Sequence, residues 1–398
     1  MRKIEPIAGT CVWHGSEMAH STGWQRRLSA AQVAEIDAAL AGARARGLSW
    51  EEIDAGNFPL PGFAGLAADI RDELEDGSGI VLLRGIEPAR YQPDDLKRLY
   101  AGLCRHIGAP VHSNRAGEVM REIRDVTKDA ARSVGERYGA LPDGGQQGVF
   151  LSSYARTLTN RELRFHTDRC DVVALFCIRP ALSGGVSQLC SSPAVHNAML
   201  ARRPDLAAAL YDDVWRSRFG EEDATDQSSY PLPVWGVRDG KFTSHYSRTF
   251  VEVAQRRPPA EVPRLSAAQA EALDMLHELA EELCLAMNFA PGDIQFVNNH
   301  VIYHARTAFE DDPAQGADRL LYRLWLAMPN SRPLPNGHEV LWRSIEPGAL
   351  RGGIAQTGVP VGSTTGDWAI SAVQPVLTAD LQADSDLQAD SRDGCVLS

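Results

Sequence analysis

The sequence predicts a mostly β protein with flanking helices, built around one large sheet domain. Short apolar runs recur at Ile80-Val81-Leu82-Leu83, at Val172-Val173-Ala174-Leu175-Phe176-Cys177-Ile178 and from Leu320 to Ala327. Runs of this length with turn residues beside them read as buried strands. Stretches with helical starts and helical spacing lie before and between them. The length of 398 residues allows two domains, and equally one sheet domain with helical additions.

Taken in order, residues 24–46 read as a helix. Ser29 offers a cap, with Gln32 at the third helical position and an Ala-rich amphipathic run behind it. A second helix is expected over 65–76. Gly77-Ser78-Gly79 then leads into a strand over 80–85, and 93–107 returns to helix. From 111 to 160 the pattern is weak and polar, with a turn at Asp143-Gly144-Gly145-Gln146-Gln147-Gly148. A strand follows at 171–178, then helices at 193–202, 204–211 and 266–288. Ser266 introduces the last helix and Pro291-Gly292-Asp293 turns the chain after it. Strands at 294–297 and 320–327 complete the pattern.

The expected organisation is an N-terminal helical segment, 1–77, packed on a sheet domain, 78–355, with a helical insertion at about 190–290. A C-terminal extension, 356–398, is expected to be disordered beyond about 375. There the hexapeptide Asp380-Leu381-Gln382-Ala383-Asp384-Ser385 is repeated at once as Asp386-Leu387-Gln388-Ala389-Asp390-Ser391, and a polar terminal repeat has little to bury.

Net charge is −12 and the pI about 5.4. This argues against sequence-independent nucleic-acid binding, which needs clustered Lys and Arg, but not against a local basic pocket. No run of about 18 apolar residues suggests a membrane span, and Met1–Pro6 lacks the core of a secretory signal. The seven cysteines are scattered without a C-x-x-C pair, as expected for reduced thiols in a cytoplasmic protein. Cys395-Val396-Leu397-Ser398 fits a C-a-a-X prenylation motif. No polybasic segment or second acylatable Cys precedes it, and one lipid chain anchors weakly, so membrane attachment is the lesser reading. The sequence is compatible with a homo-oligomer.

The chemistry starts at Phe165-His166-Thr167-Asp168. On a strand, residues two apart share a face, so His166 and Asp168 could reach one metal. The pattern alone is weak, because a lone His is more often structural. Further on, Asn298-Asn299-His300-Val301-Ile302-Tyr303-His304 follows a short strand. A His near that strand end would complete two histidines and a carboxylate. This facial set leaves three positions of an octahedral Fe(II) for a bidentate 2-oxo acid and dioxygen. His300 and His304 compete for the place, four residues apart and on one face of a strand. Arg319 and Arg323 follow, also four apart on a predicted strand. A guanidinium can grip a carboxylate through two parallel hydrogen bonds, although a single Arg is more often part of a surface ion pair.

These residues resemble the taurine dioxygenase (TauD/TfdA) family of Fe(II)- and 2-oxoglutarate-dependent dioxygenases. The resemblance spans roughly residues 10–355. Besides Phe165-His166-Thr167-Asp168 it rests on Gly184-Gly185-Val186-Ser187, Pro291-Gly292-Asp293, Asn298-Asn299, His304-Ala305-Arg306-Thr307, Arg319-Leu320-Leu321-Tyr322-Arg323 and Arg351-Gly352-Gly353-Ile354. It implies a double-stranded β-helix, or jelly-roll, core. It implies His166, Asp168 and His304 as iron ligands and catalytic centre, and prefers His304 to His300 because His304-Ala305-Arg306 fits the family segment. Arg319 is implied as the clamp for the distal carboxylate of 2-oxoglutarate. Ser187 stands where the family usually has a Thr that shares that carboxylate. Arg323 matches an Arg that binds an acidic substrate group in some members, and Val297 stands where an aromatic residue is usual.

The implied reaction uses Fe(II), 2-oxoglutarate and O2 to oxidise an unactivated C–H bond of a small acidic or zwitterionic metabolite, releasing succinate and CO2. Hydroxylation is the default with Asp168 present, since halogenating relatives lack the carboxylate. Desaturation, cyclisation or demethylation would differ only in the fate of the substrate radical. The same fold can serve as a non-catalytic binding or regulatory module; that reading expects a lost ligand or clamp, and this chain keeps them. His106, His112 and His245 have no such context and read first as core or surface residues, with pocket lining as the lesser reading.

Overall fold

The strand Ile80–Arg84 shows how the molecule is layered. Val81 and Leu83 belong to one apolar cluster with helical residues such as Ile36, Ile70 and Leu99. Ile80 and Leu82 belong to another, with Leu189, Ile302 and Tyr303 of a second sheet. Side chains alternate across a pleated strand, and here both faces are covered. That is why the run carries no polar residue between Ile80 and Leu83. Val172, Ala174 and Phe176 against Val173 repeat the division.

The computed structural model describes residues 4–127, 140–141, 150–151, 156–218 and 226–354. Its large sheet has seven strands, in the order Gln25–Arg27, Ile80–Arg84, Ile294–Asn298, Val172–Arg179, Leu320–Ala327 and Ala109–Val111, with Arg121–Ile123 also pairing with Leu320–Ala327. Gln25–Arg27 joins in parallel; the other pairings are antiparallel. The smaller sheet is antiparallel, in the order Leu285–Met287, Ser187–Ser191, Ile302–Arg306, Leu163–His166. Helices Ala30–Ala45, Ala64–Glu75 and Pro93–Arg105 cover the far face of the large sheet.

Three expectations need correction. Residues 24–46 are not one helix: Gln25–Arg27 extends the large sheet, and the helix starts after Ser29, where the Ser29/Gln32 capping box forms. The helix expected to reach 288 ends at Leu283, because Cys284 is extended and Leu285–Met287 pairs with Ser187–Leu189. Residues 190–290, expected as a helical insertion, are not all helix. Beside Ser192–Arg202, Pro204–Ala209, Arg248–Ala254 and Ala267–Leu283 they hold two hairpins, Asp213–Ser217 with Ser229–Pro233 and Trp235–Arg238 with Lys241–Ser244. The turn at 143–148, the repeated hexapeptide and Cys395 lie outside the described residues. The other six cysteines are free. Among the described residues no helix is long and apolar enough to cross a membrane.

A buried ionic network ties the end of the described chain to the sheets. Arg351, fully buried, donates from Nε to Asp171 Oδ1 at 2.9 Å and from Nη2 to the Arg332 carbonyl at 2.8 Å. Asp171 also accepts from His300 Nε2 at 2.8 Å and from the Met328 amide at 3.0 Å. Burial alone would raise the Asp171 carboxyl, but Arg351 and His300 outweigh it and hold the pKa at about 2. Its stabilising contribution is therefore complete above the unfolded value of about 3.9 and is lost as the pH falls toward 2. Removing one partner strands a buried charge. Arg351→Met is expected to cost about 3–5 kcal/mol, read by urea denaturation at neutral pH. A loss within experimental error would show that the pair is not structural.

Candidate active site

His166 and His304 meet because their strands pair. In the small sheet Leu163–His166 runs antiparallel to Ile302–Arg306 with His166 opposite His304, and the ring centroids are 4.2 Å apart. Asp168 is not on the strand, which ends at His166. The expectation of two residues sharing one strand face is therefore replaced by an irregular segment just past the strand end, held at two points. The Asp168 amide donates to Asn299 Oδ1 at 2.9 Å, and Trp325 Nε1 donates to Asp168 Oδ2 at 2.8 Å. The carboxylate then lies 3.6 Å from His166 Nε2 and 3.8 Å from His304 Nε2. One potential ligand atom from each of the three residues lies within 4.8 Å of the other two, the one such group of His, Cys, Asp or Glu found among the described residues.

His300 does not join them. Its Nε2 is committed to Asp171 and its Nδ1 to Thr243 Oγ1 at 2.9 Å. Burial lowers its pKa to about 4, so it is a neutral bridge in the core. The choice between the two histidines, open on spacing, falls to His304 on geometry.

The protonation states suit a divalent cation. His166 Nδ1 lies 2.9 Å from the Arg164 carbonyl. A carbonyl can only accept, so Nδ1 carries the proton and the Nε2 lone pair faces Asp168. Burial lowers the His166 pKa; burial, then His166 and Arg323, takes His304 to about 3. Burial would raise Asp168, but Arg323, His304, His166 and the Trp325 hydrogen bond together keep it below the usual carboxylate value. Two neutral imidazoles thus face one ionised carboxylate, a donor set that fits Fe(II).

The triad stands between two lobes of a cavity, sharing Thr157, His166, Asp168 and Arg323 as common walls. The inner lobe, between the two sheets, carries Ser187, Gln295, His304, Arg306 and Arg319. The outer lobe carries Tyr230, His245, Phe250, Trp325 and Leu341. Ser187 reaches the inner lobe through a glycine turn. Gly184 and Gly185 have φ of 70° and 65°, and a Cβ on Gly184 would lie 2.2 Å from the Ala308 carbonyl oxygen. The Ser187 hydroxyl is 3.3 Å from Gln295 Oε1.

Arg319 precedes its strand rather than lying on it, and is 6% exposed with Nη1 unpartnered. Burial lowers its pKa to about 10, so it remains cationic at neutral pH. Arg323 Nη1 is 3.6 Å from Asp168 Oδ2, and its Nε and Nη2 have no partner. Its guanidinium lies 4.9 Å from the centroid of the Trp325 ring, two residues along the same strand. Val297 is buried between the sheets and lines neither lobe.

Sequence reading missed several residues of this site. Trp325 and Asn299 position Asp168. The first could have been suspected from its spacing of two from Arg323; the second stands in the quoted Asn298-Asn299 pair without an assigned role. His245, for which pocket lining was the lesser reading, is buried and lines the outer lobe, with Nδ1 3.1 Å from Thr167 Oγ1. His106 is spent on the Phe58 carbonyl, 2.8 Å from its Nε2.

Comparison with known proteins bears on all of this. A family model described as taurine catabolism dioxygenase TauD, TfdA family matches residues 44–325. FR-33289 synthase of Streptomyces rubellomurinus is 28% identical over 336 residues, 83% of this chain and 93% of that protein. The taurine hydroxylase-like protein SAT17 of Stachybotrys chartarum is 31% identical over 316 residues, 79% of this chain and 77% of that protein. Among solved structures, asparagine oxygenase with Fe(II), 2S,3S-3-hydroxyasparagine and succinate superposes with a TM-score of 0.53 at 15% identity, covering 76% of this chain and 93% of its own. The non-heme iron oxygenase OrfP with Fe and alpha-ketoglutaric acid gives 0.54 at 15% identity, covering 76% and 94%. At that identity the likeness speaks for the fold: mixed sheets with flanking helices.

Proposed function

The chain belongs to the TauD/TfdA family of dioxygenases, oxidoreductases that use Fe(II), 2-oxoglutarate and O2, and from that premise we propose a division of labour in its cavity. His166, Asp168 and His304 hold the iron. Arg319 and Ser187 hold the distal carboxylate of 2-oxoglutarate in the inner lobe. The outer lobe takes a small acidic or zwitterionic metabolite, with Arg323 as its anion contact. The observation that carries this reading is the convergence of the three ligand atoms at the junction of the two lobes.

The sheet orders support reading residues 78–355 as a double-stranded β-helix with an insertion at about 190–290. Its two sheets face each other across the cluster that includes Leu82, Val173, Leu189 and Tyr303.

When bound, iron would supply the chemistry that lets O2 oxidise an unactivated C–H bond as it converts 2-oxoglutarate to succinate and CO2. The chain's own groups set the geometry and the environment. Asn299 holds the Asp168 backbone and Trp325 holds its carboxylate, and burial keeps both histidines unprotonated, with lone pairs to offer a metal. Phe250, Trp325 and Leu341 give the outer lobe apolar wall, which excludes water from the reacting centre. The free nitrogens of Arg323 offer two hydrogen bonds to an anionic group beside Asp168. With Asp168 in place, hydroxylation is the outcome proposed.

Arg323→Ala should therefore weaken substrate-coupled turnover while uncoupled 2-oxoglutarate decarboxylation survives. The ratio of oxidised product to succinate reads this directly, and an unchanged ratio would remove Arg323 from substrate binding. The broader test is a succinate-release screen over amino acids, sulfonates, betaines and other small acids. Stimulation by acids or zwitterions is expected; stimulation only by neutral or cationic compounds would contradict the substrate class.

A further inference from the structure

Arg306 is a buried cation that this division of labour leaves unused. It is 6% exposed, and it stands opposite Ser187 where Ser187–Ser191 pairs with Ile302–Arg306. Directly opposed residues of an antiparallel pair share a face of the sheet, so its side chain leaves the backbone beside the Ser187 hydroxyl. It lines the inner lobe together with Arg319. Both guanidiniums pack on one ring, that of Phe309, at 4.8 Å and 5.2 Å from its centroid. Nη2 of Arg306 donates to the carbonyls of Thr159 and Arg161, while Nε and Nη1 have no partner. Among the described residues no carboxylate pairs with the side chain of either arginine. An unpaired buried charge is costly, and two like charges around one ring are more so. An anion at that end of the lobe relieves both.

Resting on the reading that the inner lobe takes 2-oxoglutarate, we propose that Arg306 is a second cationic contact for the distal carboxylate. With Arg319 and Ser187 it makes this end of the pocket selective for 2-oxo acids that carry a terminal carboxylate. The competing role is a strap, in which Arg306 only ties Thr159 and Arg161 to the small sheet. The two roles differ in which 2-oxo acid they affect. A contact to the distal carboxylate matters to 2-oxoglutarate and not to 2-oxopentanoate, which has the same chain with a methyl at that end. A strap affects both equally.

The experiment is an anaerobic titration of the Fe(II)-loaded wild type, Arg306→Gln and Arg306→Lys with each acid, reading the dissociation constant from the visible absorbance of the chelate. Arg306→Gln should weaken 2-oxoglutarate roughly 10- to 100-fold and leave 2-oxopentanoate unchanged. Arg306→Lys should fall between, since it keeps the charge and loses the fork. Equal weakening of both acids, no weakening of either, or loss of iron in both variants would assign Arg306 to the strap and overturn the proposal. A wild type that binds iron but forms no chelate with 2-oxoglutarate would instead overturn the functional reading on which the proposal rests.

Discussion

Asp168→Ala is expected to abolish stoichiometric Fe(II) binding, and with it turnover. Asp168 is the one anionic member of the triad, and its carboxylate lies within 4 Å of both histidine Nε2 atoms. Losing an outer-shell partner of a metal ligand typically costs about 10–100-fold in affinity, and losing a direct ligand should cost more. Asp168→Asn is the sharper variant. It keeps the side-chain volume and the backbone hydrogen bond to Asn299 but removes the charge. His166→Ala and His304→Ala should behave like Asp168→Ala. His300→Ala should differ: it breaks the bridge between Asp171 and Thr243, lowering stability while iron is retained. Metal content after equilibrium dialysis, with circular dichroism on the same samples, separates these cases. Iron retained by His304→Ala and lost by a folded His300→Ala would exchange the two histidines.

Arg319→Ala should raise the 2-oxoglutarate requirement roughly 10- to 100-fold, as expected for a charge-assisted contact of about 1.5–3 kcal/mol. Arg319 is buried in the inner lobe with Nη1 unpartnered, so little solvent screens the charge it offers. Iron affinity should not change, because Arg319 is not among the clustered ligand atoms. Arg319→Lys should rescue only in part, since an ammonium cannot reproduce the planar fork. Titration of 2-oxoglutarate against initial succinate rate at saturating iron measures the shift. Should Arg323→Ala show the larger shift in 2-oxoglutarate affinity, the roles of the two arginines must be exchanged.

Much of the large sheet was legible in the sequence because its central strands are buried on both faces and read as apolar runs, broken only by Gln295 and Arg323 where they face the cavity. Two helix starts were legible for a different reason: Ser29 with Gln32 and Ser266 with Gln269 form capping boxes, a local device that needs no tertiary context. The small sheet was much harder to read. Leu163–His166, Ser187–Ser191 and Ile302–Arg306 carry the polar side chains that face the cavity, so their pattern is not that of a core strand. The hairpin strand Ser229–Pro233 contains two prolines, which count against a strand unless it lies at an edge. Its one partner is Asp213–Ser217.

The site divides in the same way. The spacing of His166 and Asp168 suggested a metal, but for a reason the fold does not use, since the irregular segment past the strand end, and not a strand face, presents the carboxylate. His304 and His300 were equivalent on spacing, and only the three-dimensional contacts of His300 with Asp171 and Thr243 separate them. Trp325, Asn299 and Arg306 acquire their places through pairings between distant strands, which no local pattern records.

The most direct measurement is an anaerobic titration of 2-oxoglutarate into the Fe(II)-loaded protein, followed by the weak visible charge-transfer absorbance of a chelate. The account predicts a saturable band that reaches its plateau at one 2-oxoglutarate per iron, and no band when His304 is replaced by Ala. A protein that binds iron at full stoichiometry and gives no band, or a band that persists unchanged in His304→Ala, would contradict it.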